Sequence, residues 1–561
     1  MAALDSIFAP VLVPVMQGLF DALRRSFSPA QIFGVTGANG AWLDESDFSS
    51  LFQDSAGTTS VTAVEQPIGL MKDKSGRTNN VLQATAASRP VLTSRVNQAL
   101  GSENYGDALY WNSAAFLSLT QNAASVVLPS GQVVQLALAI PSVTNQYHGG
   151  YNAGALQIGT NKIQLVAKPS GYRWVQVYDA GFGSFGLVVF DLVTGTFSQN
   201  SLSLPVSAVA LSGGAYLISL TANSSSGANF GIQSIPTATT SNIYGAIYAG
   251  DGVSGGFFGG VHAQTGLTIS VYQRITTATS YDTAGFPLYA AFNGTNSTLA
   301  STTGGGGTAG FFLCQPIAPK SRGTALATPI NAAFTTAITG GTLAAGTYFY
   351  RVSSINAYGE TLASAETSQV TTGATSTVTV NWGAVSGATG YKVYGRTTGA
   401  ELLIATVGAV TTYTDTGAVT PAGALPAVNT TAYMTVFADN NGNSGYKVVL
   451  NYAGNLLLQS GNSTFTTINT TDVLPLGTPS LITVWDDGTN LSAQVGSSTV
   501  FSTPRPLNTG GAAAFTLGSD NGAATGFFNG NLYPEVYGQN TAFTAAQRGQ
   551  IQAYCRSRAG L

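Results

Sequence analysis

Charged side chains are unusually rare in this chain: Asp, Glu, Lys and Arg make up 8% of its 561 residues. An average soluble domain carries roughly 25% of these residues. Disordered segments are typically rich in charge and poor in aromatic side chains, whereas this chain contains 24 Tyr, 27 Phe and 5 Trp. With 68 Gly available for turns, the sequence predicts an all-β fold whose surface carries mainly hydroxyl and amide groups.

The net charge argues against nucleic acid as a partner, and the lengths of the apolar runs argue against a membrane-spanning segment. The net charge of −3 at pH 7 gives no electrostatic reason to bind nucleic acid, which requires a basic surface. We expect no membrane span, because Pro10 and Pro14 interrupt the longest apolar run before it reaches the ~20 residues needed to cross a bilayer. Cys314 and Cys555 lie in apolar or helical contexts and are expected to be buried thiols, with a disulfide between them as the alternative.

Residues 1–40 differ from the rest of the chain. Apolar side chains recur there at helical spacing and would share one helix face: Met16, Leu19, Phe20, Leu23 and Phe27. Such a helix needs a surface to cover this face. The pattern therefore predicts either an anchoring or oligomerisation helix that docks in a larger assembly, or a helix folded back on the first domain.

From Trp42 onward the sequence reads as short strands separated by turns, and it ends in one helix. Thr544 and Gln547 have the spacing of a capping box, which predicts that the terminal helix begins there. The segment Asp439–Gly445 begins like a calcium-binding loop. Its twelfth position is Leu450 rather than the required Glu, so a hairpin turn is the better interpretation and no metal site is predicted.

Three distant stretches carry motifs of one sandwich family. Trp42–Asp47, Gln83–Pro90, Ala291–Gly294 and Val484–Gly488 resemble motifs of the concanavalin A-like (laminin-G-like) lectin domains common in bacteriophage structural proteins. Asn293 stands where that family usually has Asp, so any role of that carboxylate is absent here. The resemblance implies a single discontinuous sandwich formed by residues 41–98, 282–321 and 430–561. It also leaves a calcium ion, as bound by some lectin-like relatives, as an alternative that no motif supports.

The two intervening segments are expected to be inserted β-sandwiches. Residues 99–281 contain Tyr172–Val177 and Val271–Thr276, which are similar to carbohydrate-binding-module-like jelly rolls of phage fibres. Residues 322–429 contain Gly346–Val352 and Gly387–Tyr394, which resemble a fibronectin type III or Ig-like sandwich. In that family Trp382, Tyr391 and Tyr394 would belong to the core. Together these features predict a multi-domain arrangement of antiparallel sandwiches with short N-terminal and C-terminal helices.

The candidate ligand site is a glycine-rich aromatic loop in the first inserted segment. Sugars are bound by aromatic faces that contact their C–H groups and by amides or hydroxyls that bind their hydroxyls. The loop offers both kinds of group, which makes it the predicted glycan-binding site: Asn145, Tyr147, His148, Tyr151 and Asn152. The alternatives are ordinary loop packing and burial against a neighbouring subunit.

No catalytic site is predicted. The chain has two His, and glycoside hydrolysis requires two carboxylates across the scissile bond. Between residues 108 and 281 the acidic side chains are Asp179, Asp191 and Asp251, with no Glu. A polysaccharide depolymerase is therefore the less favoured alternative to a binding protein.

The resemblances imply a bacteriophage virion structural protein: a tail fibre, spike or head appendage exposed on the particle surface. The expected partners are other virion proteins, further copies of the chain, with a trimer as the first expectation, and host-surface carbohydrate. The alternative is a purely architectural capsid decoration or collar component that binds no ligand.

Overall fold

The structure is a computed structural model that describes most of the chain from residue 27 onward. The described residues are 27–34, 39–113, 116–152, 155–156, 159–179, 186–224, 229–242, 244–304, 310–322, 325–356, 359–427, 429–441, 444–451, 453–462, 464–505, 514–520, 526–539 and 543–561. Four members of the predicted N-terminal helix face therefore lie outside the described residues: Met16, Leu19, Phe20 and Leu23. The fifth, Phe27, is partly buried against a cluster that includes Phe33 and Trp42.

The described residues confirm the all-β class. They form antiparallel sheets packed in pairs, with a one-turn helix at Ala30–Phe33 and a fifteen-residue helix at Ala545–Ala559. Three short 3-10 helices occur at Phe48–Ser50, Ala86–Ser88 and Ser212–Gly214. No helix in the described part of the chain is long and apolar enough to cross a bilayer.

Two large sheets take their strands from three separate stretches of the chain, within residues 39–93, 289–319 and 433–539. We call this pair the split sandwich. Its ten-stranded sheet comprises Asn39–Leu43, Gln66–Pro67, Val91–Thr93, Tyr289–Asn293, Phe311–Pro319, Ser480–Asp486, Asn490–Val495, Phe501–Pro504, Asn529–Leu532 and Glu535–Gln539. Its nine-stranded sheet comprises Leu51–Phe52, Leu70–Met71, Val81–Leu82, Leu299–Gly304, Tyr433–Asn441, Ser444–Asn451, Asn455–Asn462, Thr464–Val473 and Ala514–Leu517.

Aromatic rings fill the core between these two sheets. Phe311 stacks on Tyr446 with ring centroids 4.4 Å apart, and it also contacts Phe437 and Tyr537. Tyr537 lies opposite both Ala41 and Leu313 in the strand register. Residues from all three stretches therefore share one continuous buried cluster.

Asp439, the first residue of the segment that begins like a calcium loop, is buried in this core. Its carboxylate accepts hydrogen bonds from the Tyr537 hydroxyl at 2.9 Å and from the Gln539 amide. The flanking strands, Tyr433–Asn441 and Ser444–Asn451, pair antiparallel as neighbours in sequence. The segment thus joins two hairpin strands, as its turn residues predict.

The terminal helix packs on the outer face of the ten-stranded sheet. Thr544 and Gln547 form the predicted capping box. The buried side chains of Ile551 and Cys555 lie in a cluster with Cys314. Both cysteines are free thiols, and Cys555 Sγ lies 3.6 Å from the Cys314 carbonyl oxygen.

The strands between residues 111 and 265 form a second pair of sheets, the middle sandwich. One sheet comprises Trp111–Ser113, Gly150–Asn152, Trp174–Asp179, Leu187–Asp191, Thr196–Asn200 and Phe230–Ile235. The facing sheet comprises Leu117–Val127, Val133–Pro141, Gly159–Ser170, Val206–Ala210, Tyr216–Ser224 and Gly255–Thr265. A small ribbon joins Gln146–Tyr147 to Ile247–Tyr248. Tyr105, Trp111 and Phe258 lie in the core between the two six-stranded sheets of the middle sandwich.

The strands between residues 335 and 415 form the small sandwich. One sheet comprises Thr335–Ala337, Thr377–Asn381 and Thr412–Asp415, and the other comprises Gly346–Asn356, Gly359–Glu360, Thr367–Thr371, Gly390–Arg396 and Leu402–Gly408. Trp382, Tyr391 and Tyr394, which the resemblance assigns to the core, are all buried. The rings of Trp382 and Tyr391 lie 5.3 Å apart.

Candidate functional site

The predicted glycan loop lies at one end of the middle sandwich, where it crosses the outer face of the sheet that contains Gly150–Asn152. Tyr147 meets Tyr178 edge-on with ring centroids 6.0 Å apart, and the two hydroxyls are hydrogen-bonded. Gly149 permits this contact. A Cβ atom at Gly149 would lie 2.5 Å from the Tyr147 hydroxyl oxygen and 2.7 Å from that of Tyr178, well inside van der Waals distance.

His148 is buried and supports this loop from beneath. Its Nδ1 lies 3.1 Å from the Phe116 carbonyl oxygen, and its Nε2 lies 2.9 Å from both the Thr144 and the Tyr248 carbonyl oxygens. Carbonyl oxygens only accept hydrogen bonds, so a ring nitrogen that carries its proton donates to the carbonyl oxygen it faces. The His148 side chain therefore joins three backbone segments, at residues 116, 144 and 248, that are distant in sequence.

Replacing His148 with Phe should loosen this end of the sandwich. Phe keeps a planar ring of similar shape but cannot donate to the Phe116, Thr144 and Tyr248 carbonyl groups, at a cost of about 1 kcal/mol. We expect lower thermal stability and faster hydrogen exchange in residues 144–150 and 247–248.

His262 provides the matched control for that variant. It is also fully buried in the middle sandwich, but neither of its ring nitrogens has a hydrogen-bond partner among the described residues. Burial lowers the pKa of His262 to about 3, so the ring is neutral at pH 7. Replacement by Phe removes no contact comparable to the three at His148, so His262→Phe should lower stability less than His148→Phe. Equal losses in both variants would contradict the supporting role of His148.

The remaining predicted residues occupy different environments. Asn145 is exposed at the tip of the loop, and Tyr151 is partly exposed. Tyr151 lies opposite Gly231 and Asn112 in the strand register. Asn152 is buried and donates from Nδ2 to the Leu100 carbonyl oxygen at 2.8 Å. The structure therefore leaves Asn145, Tyr151 and the edge of Tyr147 available to a ligand, while His148 and Asn152 hold the backbone.

The broad outer face of the same sheet is covered by the chain itself. Ala246 and Tyr248 pack on Tyr178 and Ile235. The Gln176 side chain accepts a hydrogen bond from the Ala246 amide at 3.1 Å and donates one to the Asn242 carbonyl oxygen at 3.0 Å. A ligand of this sheet must therefore approach the loop end rather than the flat outer face.

Exposed apolar side chains surround that loop end, and no sequence pattern marks them as a group. Val143 is 69% exposed, Ile247 is 59% exposed and Val253 is 77% exposed. Tyr244 is also more than half exposed. A Cβ at Gly252 would lie 3.4 Å from Val143, which places two of the loops side by side. Alternation along a strand cannot reveal such a patch, because Val143, Tyr244 and Val253 come from irregular segments.

The chemistry of the loop end is polar but almost neutral. Burial raises the pKa of Tyr147 and of Tyr248, so both hydroxyls stay protonated. Hydrogen bonds, first from the Ser254 side chain and then from the backbone, lower the pKa of Asp251. Its carboxylate accepts from the Val253 and Ser254 amides at 2.9 and 2.6 Å. Neutral hydroxyls and amides beside apolar surface match an uncharged polyol better than an ion.

The carboxylates of the middle sandwich serve local contacts. Asp191 accepts two hydrogen bonds from Arg173, at 2.8 and 2.6 Å, and these hold the pKa of Asp191 well below its usual range. Asp179 is buried in the sheet. Among the described residues, no group of three or more His, Cys, Asp or Glu side chains is arranged to bind a metal ion.

No protein-family model matches the chain, and no curated protein is significantly similar to it.

Proposed function

We propose that this chain is a bacteriophage virion structural protein, a tail fibre, spike or head appendage, that binds host-surface carbohydrate without cleaving it. The observation that carries the proposal is the rigid loop end of the middle sandwich. There His148 fixes three segments beneath an exposed surface that combines Tyr151 and Asn145 with apolar side chains. A site held in its binding conformation loses little conformational entropy when a ligand binds.

The low charge content and the β-sandwich architecture support the proposal that the protein is displayed on the surface of a particle. The 8% of charged residues leaves few groups for non-specific attraction to ions, nucleic acids or anionic membranes. Single sugar sites bind weakly, but several copies on one particle raise the effective concentration, so overall binding is strong. A homotrimer attached to other virion proteins, exposed at the particle surface, would supply such copies.

A purely architectural role is the second candidate, and one observation favours it. The exposed apolar side chains Val143, Ile247 and Val253 form the kind of surface that protein interfaces bury. In that case another virion subunit would cover the loop end, and no sugar would reach Tyr151.

A glycan array probed with the intact protein tests the proposal, followed by the same array with Tyr151→Ala. Loss of the aromatic face should weaken binding of the retained glycans about tenfold, which corresponds to about 1.4 kcal/mol. Tyr348→Ala is the matched control, because Tyr348 is also a partly exposed strand tyrosine but lies in the small sandwich.

Three outcomes separate the candidates. Glycan binding that is weakened by Tyr151→Ala and kept by Tyr348→Ala supports carbohydrate recognition at the loop end. Absence of any bound glycan, together with protection of Val143 and Val253 from surface labelling in the particle, favours the architectural role. Release of saccharide during incubation would contradict binding without cleavage.

A further inference from the structure

A cavity of about 750 Å³ opens between the split sandwich and the middle sandwich. Its floor is the outer face of the ten-stranded sheet. Val91, Ala291 and Asn531 lie side by side there on three neighbouring strands. Because two of these side chains are small, the floor is set back from the surrounding walls, which are formed by segments 264–271 and 285–287 and by the end of the terminal helix.

Two cationic side chains line the cavity. Lys320 follows directly after the strand Phe311–Pro319, and its ammonium group makes no hydrogen bond or ion pair with any described residue. Arg95 makes one long hydrogen bond of 3.5 Å to the Ala278 carbonyl oxygen. The backbone of Arg95 is fixed by the Tyr289 hydroxyl, which donates to its carbonyl oxygen at 2.6 Å. The cavity therefore presents positive charge that the described protein does not neutralise by a direct contact.

The surroundings of Lys320 disfavour its positive charge when no anion is bound. Its side chain remains accessible through the cavity, yet the surrounding protein atoms, and then the nearby charge of Arg95, lower the pKa of its amine. Glu65 acts in the opposite direction. An anion placed between the two cations would relieve their repulsion.

A polar atom on the floor also lacks a partner. Asn531 is only 7% exposed, and its Oδ1 makes no hydrogen bond to any described residue. Buried polar atoms are nearly always paired, so an orphaned acceptor on the floor of a cavity indicates a missing donor. The oxygen itself is covered by protein atoms, so a ligand hydroxyl or a water molecule reaches it only when the Asn531 side chain turns toward the cavity.

Glu65 adds a second acceptor on the cavity wall. Its Oε1 receives hydrogen bonds from the Tyr281 hydroxyl at 2.6 Å and from Thr93 at 2.5 Å. Its backbone has φ of 62°, in the left-handed region that non-glycine residues rarely adopt. Backbone strain of this kind persists where surrounding contacts enforce it, and it is concentrated at binding sites.

We propose that this cavity binds a sugar residue that carries a carboxylate. Lys320 and Arg95 would bind the carboxylate, Asn531 and Glu65 would accept hydrogen bonds from hydroxyls, and Val91 and Ala291 would contact the C–H face of the ring. The inference rests on the proposed carbohydrate-binding function and names a second site, with acidic rather than neutral sugar as its ligand class. Its location at the junction gives it walls from both sandwiches.

The test compares methyl glucuronide with methyl glucoside, which has a neutral hydroxymethyl group in place of the carboxylate. Binding to the intact protein is measured by titration calorimetry and saturation-transfer NMR. We expect the glucuronide to bind at least about tenfold more tightly than the glucoside. Lys320→Gln should remove most of this preference. Lys72→Gln, the same change at an exposed lysine outside the cavity, should retain it.

A second variant blocks the floor without changing charge. Ala291→Leu places a larger side chain beside Asn531 and should reduce glucuronide binding, while the melting temperature reports on folding. Equal affinity for both glycosides, or a preference that survives Lys320→Gln, would overturn the proposal. Acetate that competes as well as the glucuronide would reduce the site to a simple anion site and also overturn it.

Each of the two proposed sites can be rejected without rejecting the other. Tyr151→Ala should leave glucuronide binding at the junction unchanged, because Tyr151 does not line the cavity. Loss of the glucuronide preference with retained, Tyr151-dependent array binding would reject the cavity alone. An array without Tyr151-dependent binding would reject the loop-end function, whatever the glucuronide result.

Discussion

Replacing Phe311 with Ala is expected to destabilise the split sandwich by about 3–5 kcal/mol, as for other large aromatic-to-alanine changes in well-packed cores. Phe311 is 1% exposed and contacts Tyr537 of its own sheet and Phe437 and Tyr446 of the facing sheet. Its removal would leave a cavity between rings that come from different sheets. Guanidinium unfolding of the full chain, followed by circular dichroism, should show the corresponding transition at a lower midpoint.

The matched control for Phe311→Ala is Phe258→Ala in the middle sandwich. Phe258 is equally buried, and its ring centroid lies 4.9 Å from that of Tyr105. This variant should lower the stability of strands between residues 111 and 265 by a similar amount. A loss below about 1 kcal/mol for Phe311→Ala would contradict the tight aromatic packing.

Replacing Glu535 with Gln is expected to stabilise the protein at neutral and alkaline pH. Glu535 is fully buried, and neither carboxyl oxygen has a hydrogen-bond partner among the described residues. Burial raises the pKa of Glu535 to about 8. Burial, and then the nearby Glu535, likewise raise the pKa of Glu45 well above its usual value. Gln has nearly the same shape as Glu and never ionises. The variant therefore avoids the folding free energy that Glu535 loses at high pH, where its buried carboxyl must either stay protonated or carry a charge.

The sign of the pH effect follows from the two states of the chain. Below pH ~4.5 Glu535 is protonated in both the folded and the unfolded chain, so it contributes no pH dependence. Between pH ~4.5 and ~8 only the unfolded state ionises, so folding stability falls as pH rises, by roughly 3 kcal/mol at pH 7. Above pH ~8 the loss levels off. Glu535→Gln should remove this slope.

Thermal melts of Glu535→Gln and of the unchanged protein from pH 4 to pH 9 provide the measurement. The difference between the two melting temperatures should be small at pH 4 and should grow up to about pH 8. Glu366→Gln is the control, because Glu366 is partly exposed and lies 3.9 Å from Arg351. A Glu535→Gln variant that loses stability at pH 8 would show that the carboxylate has a favourable partner.

Much of the architecture could be predicted from local sequence signals. Short strands, turn residues and charge scarcity indicate an all-β chain, and the Thr544 capping box marks the start of the terminal helix. Trp382, which the resemblance to a fibronectin type III or Ig-like sandwich assigned to the core, is buried. These signals extend over only a few residues, which is why one sequence suffices to detect them.

The candidate sites depend on contacts between distant residues and were harder to predict. The sequence places Tyr147, His148, Tyr151 and Asn152 in one polar loop, but strand alternation and tertiary packing direct some of these side chains into the protein. The junction cavity combines Lys320 with Arg95 and Asn531, which are separated by more than two hundred residues in each direction. Glu535 lies in an otherwise ordinary strand pattern, so its missing partners emerge only from the packed structure.

Hydrogen exchange on the intact chain tests the fold most directly, because the floor of the junction cavity belongs to a split sandwich built from three stretches. Strands Asn39–Leu43, Phe311–Pro319 and Glu535–Gln539, which are paired in the structure, should exchange through one shared opening. Phe311→Ala should lower protection in all three together and leave strand Gly346–Asn356 of the small sandwich unchanged. Loss of protection confined to Phe311–Pro319 would contradict a single cooperative sandwich.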